Sequence, residues 1–196
     1  MKLCGLTGGV GMGKSTTAGF LQARGARIMD TDHLARELVQ PGEPALAEIK
    51  NIFGKEIIST DGSLRRDELA NIVFADPAAR KKLEAILHPR IRERWLAQAE
   101  AWRKENVPFA IIVIPLLYET QAESRFDRVI CVACSENSRH ERLQVRGWSS
   151  TQIEGRIAAQ MPVTEKMTRA HFVIWTEGEM ENHSRQVDRV LGRMAG

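Results

Sequence analysis

Gly8-Gly9-Val10-Gly11-Met12-Gly13-Lys14-Ser15 matches G-x-x-x-x-G-K-[ST] at every fixed position. Before it, Lys2–Thr7 reads as a short buried strand, and after it Ser15–Ala23 reads as a helix. In that order of elements, successive backbone N–H groups of the loop can wrap a phosphate, and side chains at the tight positions would hold the backbone away from it. Lys14 carries a point charge suited to β- and γ-phosphates, the Ser15 hydroxyl suits Mg²⁺, and the positive end of the helix faces the same groups. The bland alternative is a glycine-rich turn without a ligand; a chance match in 196 residues is on the order of one per cent. A dinucleotide fingerprint fails by register, since Gly9-x-Gly11 would need a glycine where Lys14 stands. The stretch therefore points to a bound nucleoside triphosphate.

Outward from the loop, Ala26–Asp30 is a second strand with Asp30-Thr31-Asp32 at its carboxyl end. From Leu34 to Arg103 the pattern is helical, broken at Pro41-Gly42 and Asp61-Gly62. Phe109–Ile114 is a continuous apolar run suited to a central parallel strand buried on both faces, and Arg128–Ala133 is another. Ser135–Arg146 and Ser149–Ala159 read as helices and Phe172–Trp175 as a last strand. Val187, Val190, Leu191 and Met194 then fall at i, i+3, i+4 and i+7, the apolar face of a closing helix. Strands separated by helices imply right-handed crossovers and an α/β fold with a parallel sheet flanked by helices.

Composition bounds the rest. A chain of 196 residues that is 43% hydrophobic holds one core with modest insertions. Its net charge of +3 is too small and too dispersed to suggest a polynucleotide partner. The longest apolar stretch, Phe109–Tyr118, is well short of the roughly 20 residues a membrane span needs. No secretory leader is recognisable near Met1, so a cytoplasmic protein without membrane or nucleic-acid partners is expected. Three cysteines make no disulfide framework, and Cys131-x-x-Cys134 lacks a second pair for zinc, so at least one of the two is expected to pack as a small apolar group. Trp95, Trp102, Trp148 and Trp175 are read as core or hinge packing.

The chemistry narrows by elimination. No Asp has Gly three positions later and no Lys has Asp two later, so the γ-phosphate sensor and guanine reader of switch GTPases are missing. The run Phe109–Ile114 ends in Pro115 rather than the carboxylate of a motor ATPase. What is left is a small-molecule kinase, in which an acceptor hydroxyl must meet the γ-phosphate. Asp32 can accept the hydroxyl proton or hold a Mg²⁺-bound water, or it can simply cap the helix beginning near His33. Arg139, Arg142 and Arg146 share one helix face, either as a solvated basic surface or as charge closing over the transferred phosphoryl.

Gly5-Leu6-Thr7 running into the loop and Thr16, then Asp30-Thr31-Asp32 and Pro41-Gly42, resemble the dephospho-CoA kinase family. Asp61-Gly62-Ser63-Leu64, Arg66, His88-Pro89-Arg90-Ile91, Pro115-Leu116-Leu117-Tyr118-Glu119 and Arg156-Ile157-Ala158-Ala159-Gln160 are similar to its later motifs, in order, to about Gly178. The resemblance implies a P-loop nucleoside-triphosphate hydrolase fold of the nucleotide-kinase type, with a helical acceptor-binding insertion and a lid. The core would be residues 1–33, 104–134 and 166–196, the acceptor domain 34–103 and the lid 135–165. It implies that ATP, with Mg²⁺, phosphorylates the ribose 3′-hydroxyl of dephospho-CoA in the last step of coenzyme A synthesis, by a protein expected to be a monomer.

By the same resemblance, Gly8, Gly9, Gly11, Met12, Gly13, Lys14, Ser15 and Thr16 hold ATP, helped by Arg156. Asp32 is the base, Ser15 and Asp32 take the metal, and Lys14, Arg142 and Arg146 assist catalysis. Asp32, Arg66, His88 and Leu116 fall at the acceptor, although Arg66 could instead pair with Asp67 and Glu68, and His88-Pro89 equally suits a helix boundary. The chain departs from the family's usual pattern at Arg65, Gly147, Ala170-His171 and Thr176-Glu177. A kinase of another small-molecule hydroxyl and an ATP-dependent binding or switch module are the competing functions.

Overall fold

The computed structural model describes residues 1–195. Two compact units divide the chain: Met1–Met29 with the chain from Ala99 onward, and Asp30–Gln98. The breaks lie four or five positions before the expected 33/34 and 103/104, and residues 135–165 belong to the first unit.

The first unit is built on a sheet of β1 (Lys2–Thr7), β2 (Arg27–Asp30), β3 (Phe109–Val113), β4 (Arg128–Ala133) and β5 (Phe172–Trp175), in the order β2-β3-β1-β4-β5. Its pairing is parallel, with Leu3 opposite Ala110, Leu6 opposite Ile130 and Val132 opposite Ile174. The central strands are buried almost throughout because helices cover the sheet, which is why their sequences are apolar runs rather than alternating patterns. Leu6, Ile111, Val113, Ile130 and Val132 pack with Leu21 of α1 (Lys14–Ala23) and with Val187, Val190 and Met194 of α9 (Met180–Ala195), the stripe the closing helix was expected to bury. A parallel sheet presents the carboxyl ends of its strands on one edge, and the loop after β1 lies there. Between β4 and β5 run α6 (Glu136–Val145), α7 (Ser150–Ala158) and α8 (Val163–Arg169).

The second unit holds α2 (Thr31–Glu37), α3 (Pro44–Phe53), α4 (Arg66–Ala75) and most of α5 (Pro77–Lys104). Its core gathers Leu38, Leu46, Ile49, Ile57, Leu69 and Ile86. Pro89 does not end a helix, because α5 runs through it for 28 residues. The ring removes the amide that would reach the Ala85 carbonyl, and the Arg90 guanidinium supplies a donor to the neighbouring Ile86 carbonyl at 2.7 Å.

Trp95 and Trp102 are core residues, whereas Trp175 is 40% exposed, contrary to the expected packing role. Cys131 and Cys134 are both buried, and burial pushes the Cys131 thiol up to about 11. No helix among the described residues is long and apolar enough to cross a membrane.

Candidate active site

The loop after β1 owes its shape to what surrounds it. Gly8 has φ +146°, and a Cβ there would stand 2.3 Å from the Val132 carbonyl oxygen of β4. Gly13 caps α1 in the left-handed region at φ 91°, which turns the amides that open the helix into the loop. Gly11 faces Leu143 and Gly9 faces the Arg139 guanidinium, so α6 forms the wall behind the loop. Lys14 reaches back across this cradle, its Nζ donating to the carbonyls of Gly8 and Gly9 at 3.0 and 2.9 Å. Ser15 is exposed in the first turn of α1, its hydroxyl open to a ligand, and Thr16 is half-buried. Met12 turns its side chain away into a cluster with Ala133 and Cys134, so only its backbone faces the loop.

Of the three arginines on one helix face, two are drawn onto the loop. Arg139 is 6% exposed and donates through Nε to the Val10 carbonyl at 3.0 Å. Burial pushes its guanidinium downward from the usual arginine range. Arg142 grips Thr176 with both terminal nitrogens, Nη1 to Oγ1 at 2.8 Å and Nη2 to the carbonyl at 2.6 Å. Thr176 in turn donates Oγ1 to the Met12 carbonyl at 3.0 Å, joining the end of β5 to the loop. Arg146 is the exposed C-cap of α6, and the Arg156 guanidinium lies 4.3 Å from the centre of the Trp148 ring. Leu116 is half-buried in the turn after β3, where its carbonyl accepts from Thr120 Oγ1.

Asp32, Arg66 and His88 belong to the second unit. Asp32 is exposed in the first turn of α2, and it is not the helix cap. Asp30 holds that position, accepting the Asp32 N–H on Oδ1 at 2.8 Å, which leaves the Asp32 carboxylate outside the capping role. Arg66 donates to the Arg36 carbonyl at 3.4 Å, a weak bond that ties α4 to the helix carrying Asp32. His88 lines a groove of about 670 Å³ with Pro89, Arg92, Glu93, Leu96 and Ala97 on α5. Burial holds its imidazole below the usual histidine value, with Arg92 adding to the shift and Glu84 opposing it.

From sequence, Arg139 has only a place on the shared arginine face, Gln160 only a place in a family motif and Thr176 only a departure from the family pattern, yet all three bond to the loop backbone. The signal for Arg139 was present, since it shares a face with Arg142. No local pattern points Gln160 or Thr176 toward the loop, because their contacts span 150 and 164 positions.

A family model described as dephospho-CoA kinase matches residues 2–182. A dephospho-CoA kinase from Anaeromyxobacter dehalogenans is 44% identical over 197 residues, covering 100% of this chain and 93% of the relative. Among solved structures, one from Thermus thermophilus aligns over 100% of this chain and 98% of its own at TM-score 0.83 and 36% identity. The dephospho-CoA kinase from Campylobacter jejuni aligns over 98% and 96% at TM-score 0.73 and 25% identity.

Proposed function

The chain belongs to the dephospho-CoA kinase family, and from that premise we propose how its residues divide the reaction: transfer of the ATP γ-phosphoryl to the ribose 3′-hydroxyl of dephospho-CoA, giving coenzyme A and ADP. The loop carries this reading. A left-handed Gly13, a lysine arched over the Gly8 and Gly9 carbonyls and two arginines seated behind make a preformed anion cradle. Gly8, Gly9, Gly11, Gly13 and the Met12 backbone wrap the phosphates, with Thr16 at the same helix end. Lys14 follows the charge that gathers on the γ-phosphoryl oxygens.

Asp32 accepts the 3′-hydroxyl proton as its oxygen attacks phosphorus, and the bond from phosphorus to the β–γ bridging oxygen breaks to release ADP. Its carboxylate stands on the exposed first turn of α2, which Asp30 caps. Ser15 and Asp32 offer the hard oxygen donors that Mg²⁺ takes, and the ion when bound would neutralise phosphate charge. Arg142 and Arg146 shield the transferred group, Arg156 assists at the nucleotide, and Arg66, His88 and Leu116 hold the acceptor. Residues 34–103 serve the acceptor and 135–165 form the lid.

The test is an assay with MgATP and dephospho-CoA that follows ADP and coenzyme A together. ADP alone would support a switch or ATPase, and neither product would point to another acceptor. Asp32→Asn is expected to lose about 10²- to 10⁴-fold in turnover while still binding nucleotide. Near-normal turnover would remove Asp32 as the base.

A further inference from the structure

The segment that returns from α7 to α8 is tied to the phosphate loop by side chains that the reaction above does not use. Val10, at the tip of the loop, donates its N–H to Gln160 Oε1 at 3.0 Å. The next residue, Met161, donates its N–H to Glu119 Oε1 at 2.8 Å. That same oxygen lies 2.8 Å from Lys166 Nζ, on a side chain 0% exposed against 22% for Glu119. Lys166 also donates to the Pro115 carbonyl at 2.6 Å, and Pro115 accepts from Thr7 Oγ1 at 3.2 Å. A run of bonds thus leaves the end of β1 just before the loop, passes through Pro115, Lys166 and Glu119, and returns through residues 160–161 to the loop's tip.

An ion pair with a buried partner such as Lys166 is a weak device for stability, because well-packed apolar residues of similar volume often do as well or better. Its use here is geometric. Val10 is gripped on both of its peptide units: Gln160 holds the Gly9–Val10 peptide by its N–H and Arg139 holds the Val10–Gly11 peptide by its carbonyl. Peptide planes are rigid, so fixing these two neighbouring ones sets the torsions at Val10 and limits the rotation of the amides that follow it in the loop.

We propose that Gln160 is a positioning residue that holds the Gly9–Val10 peptide, and with Arg139 on the next one the amides of residues 11–15, in the geometry that receives the nucleotide phosphates, with Glu119 and Lys166 keeping Gln160 in place. The proposal rests on the loop being the ATP site. Gln160 is half-buried, so its truncation is mild for the fold.

The experiment compares the native protein, Gln160→Ala, and a Glu119→Gln/Lys166→Met variant by KM for both substrates, by the Kd of MgADP from calorimetry, and by Tm. If the native protein binds no MgADP, the reading of the loop falls and the proposal falls with it. If it binds, Gln160→Ala is expected to raise the MgADP Kd and the KM for ATP about fivefold, the size of one lost hydrogen bond. KM for dephospho-CoA and Tm should not move. Adding the pair substitution to Gln160→Ala should bring little further loss, since both act along one run of bonds. An unchanged MgADP Kd in Gln160→Ala, an equal rise in both KM values, or fully multiplying effects would each overturn the proposal. Should the pair variant not fold, Gln160→Ala decides alone.

Discussion

The two compact units reach their shapes by different means. In the first, β1, β3 and β4 are buried almost end to end, and the phosphate loop is moulded by backbone: glycine torsions, the Val132 carbonyl and the N-terminus of α1. In the second, helices bury narrow stripes, α4 contributing Leu69 alone to the fully buried set, and its candidate chemistry stands on exposed side chains such as Asp32 and Arg66. A backbone-made site tolerates little change in shape. A side-chain-made one can change its contacts with little cost to the fold.

The largest expected effect tests that contrast with one substitution in each unit. Gly8→Ala combines a left-handed torsion with a Cβ driven to 2.3 Å from the Val132 oxygen, so it should cost about 3 kcal/mol and abolish MgADP binding. Gly42 also has positive φ, at +93°, but a Cβ there meets nothing within 4 Å. Gly42→Ala should cost only the torsional strain, about 1 kcal/mol, and leave binding intact. Urea midpoints and calorimetry on both variants give the answer, and equal losses would erase the distinction.

The same contrast governs what could be read from sequence. The strands Lys2–Thr7 and Phe109–Val113 were legible because full burial demands apolar runs, and the loop because phosphate wrapping fixes glycine spacing. Met12 shows the limit: its place in the motif is plain, but only packing against Ala133 and Cys134 turns its side chain inward. The helix through Pro89 was illegible since a local rule for proline gave way to the length of a packed helix and a donor from Arg90. Asp30 rather than Asp32 caps α2, a choice between two equally good capping residues that the helix start at Thr31 decides. In the second unit, Arg66 and His88 carried no signal for the acceptor beyond a family resemblance, because neither sits in a motif whose spacing the chemistry fixes.

A smaller effect comes from one histidine in each unit. His183 is 3% exposed, bonded to Thr17 Oγ1 at 2.9 Å, and held below the usual histidine value by burial and then by Arg142. His88 is held down by burial, with Glu84 pulling the other way. A lowered value in the folded state means that the unfolded chain binds the extra proton first. The stability from each neutral ring is therefore complete above pH 6.5, the unfolded-state value, and is lost as pH falls below it toward the folded value. Urea midpoints between pH 7.5 and 5 should fall in the native protein. His183→Gln should flatten that fall more than His88→Gln, and the reverse order would place the tighter packing in the second unit.

The smallest effect concerns a hazard that only the first unit carries. β5 is an edge of the sheet, and it carries the exposed Val173 and Trp175. In the second unit the pairing among the described residues is the isolated bridge of Ile58 with Leu64, which offers no such edge. Gln186 of α9 covers the end of the β5 edge by imitating a neighbouring strand: its Oε1 accepts the Trp175 N–H at 2.9 Å and its Nε2 donates to the Trp175 carbonyl at 2.7 Å. Gln186→Ala should leave turnover within about twofold and stability within about 1 kcal/mol. It should also produce self-association that grows with protein concentration in sedimentation runs, because the freed amide and carbonyl can template a strand from another copy. Gln186→Glu, which keeps the acceptor and loses the donor, should fall between. A variant that sediments as the native protein does at every concentration would mean that the edge is already protected by its short length, and that the amide merely satisfies two backbone groups.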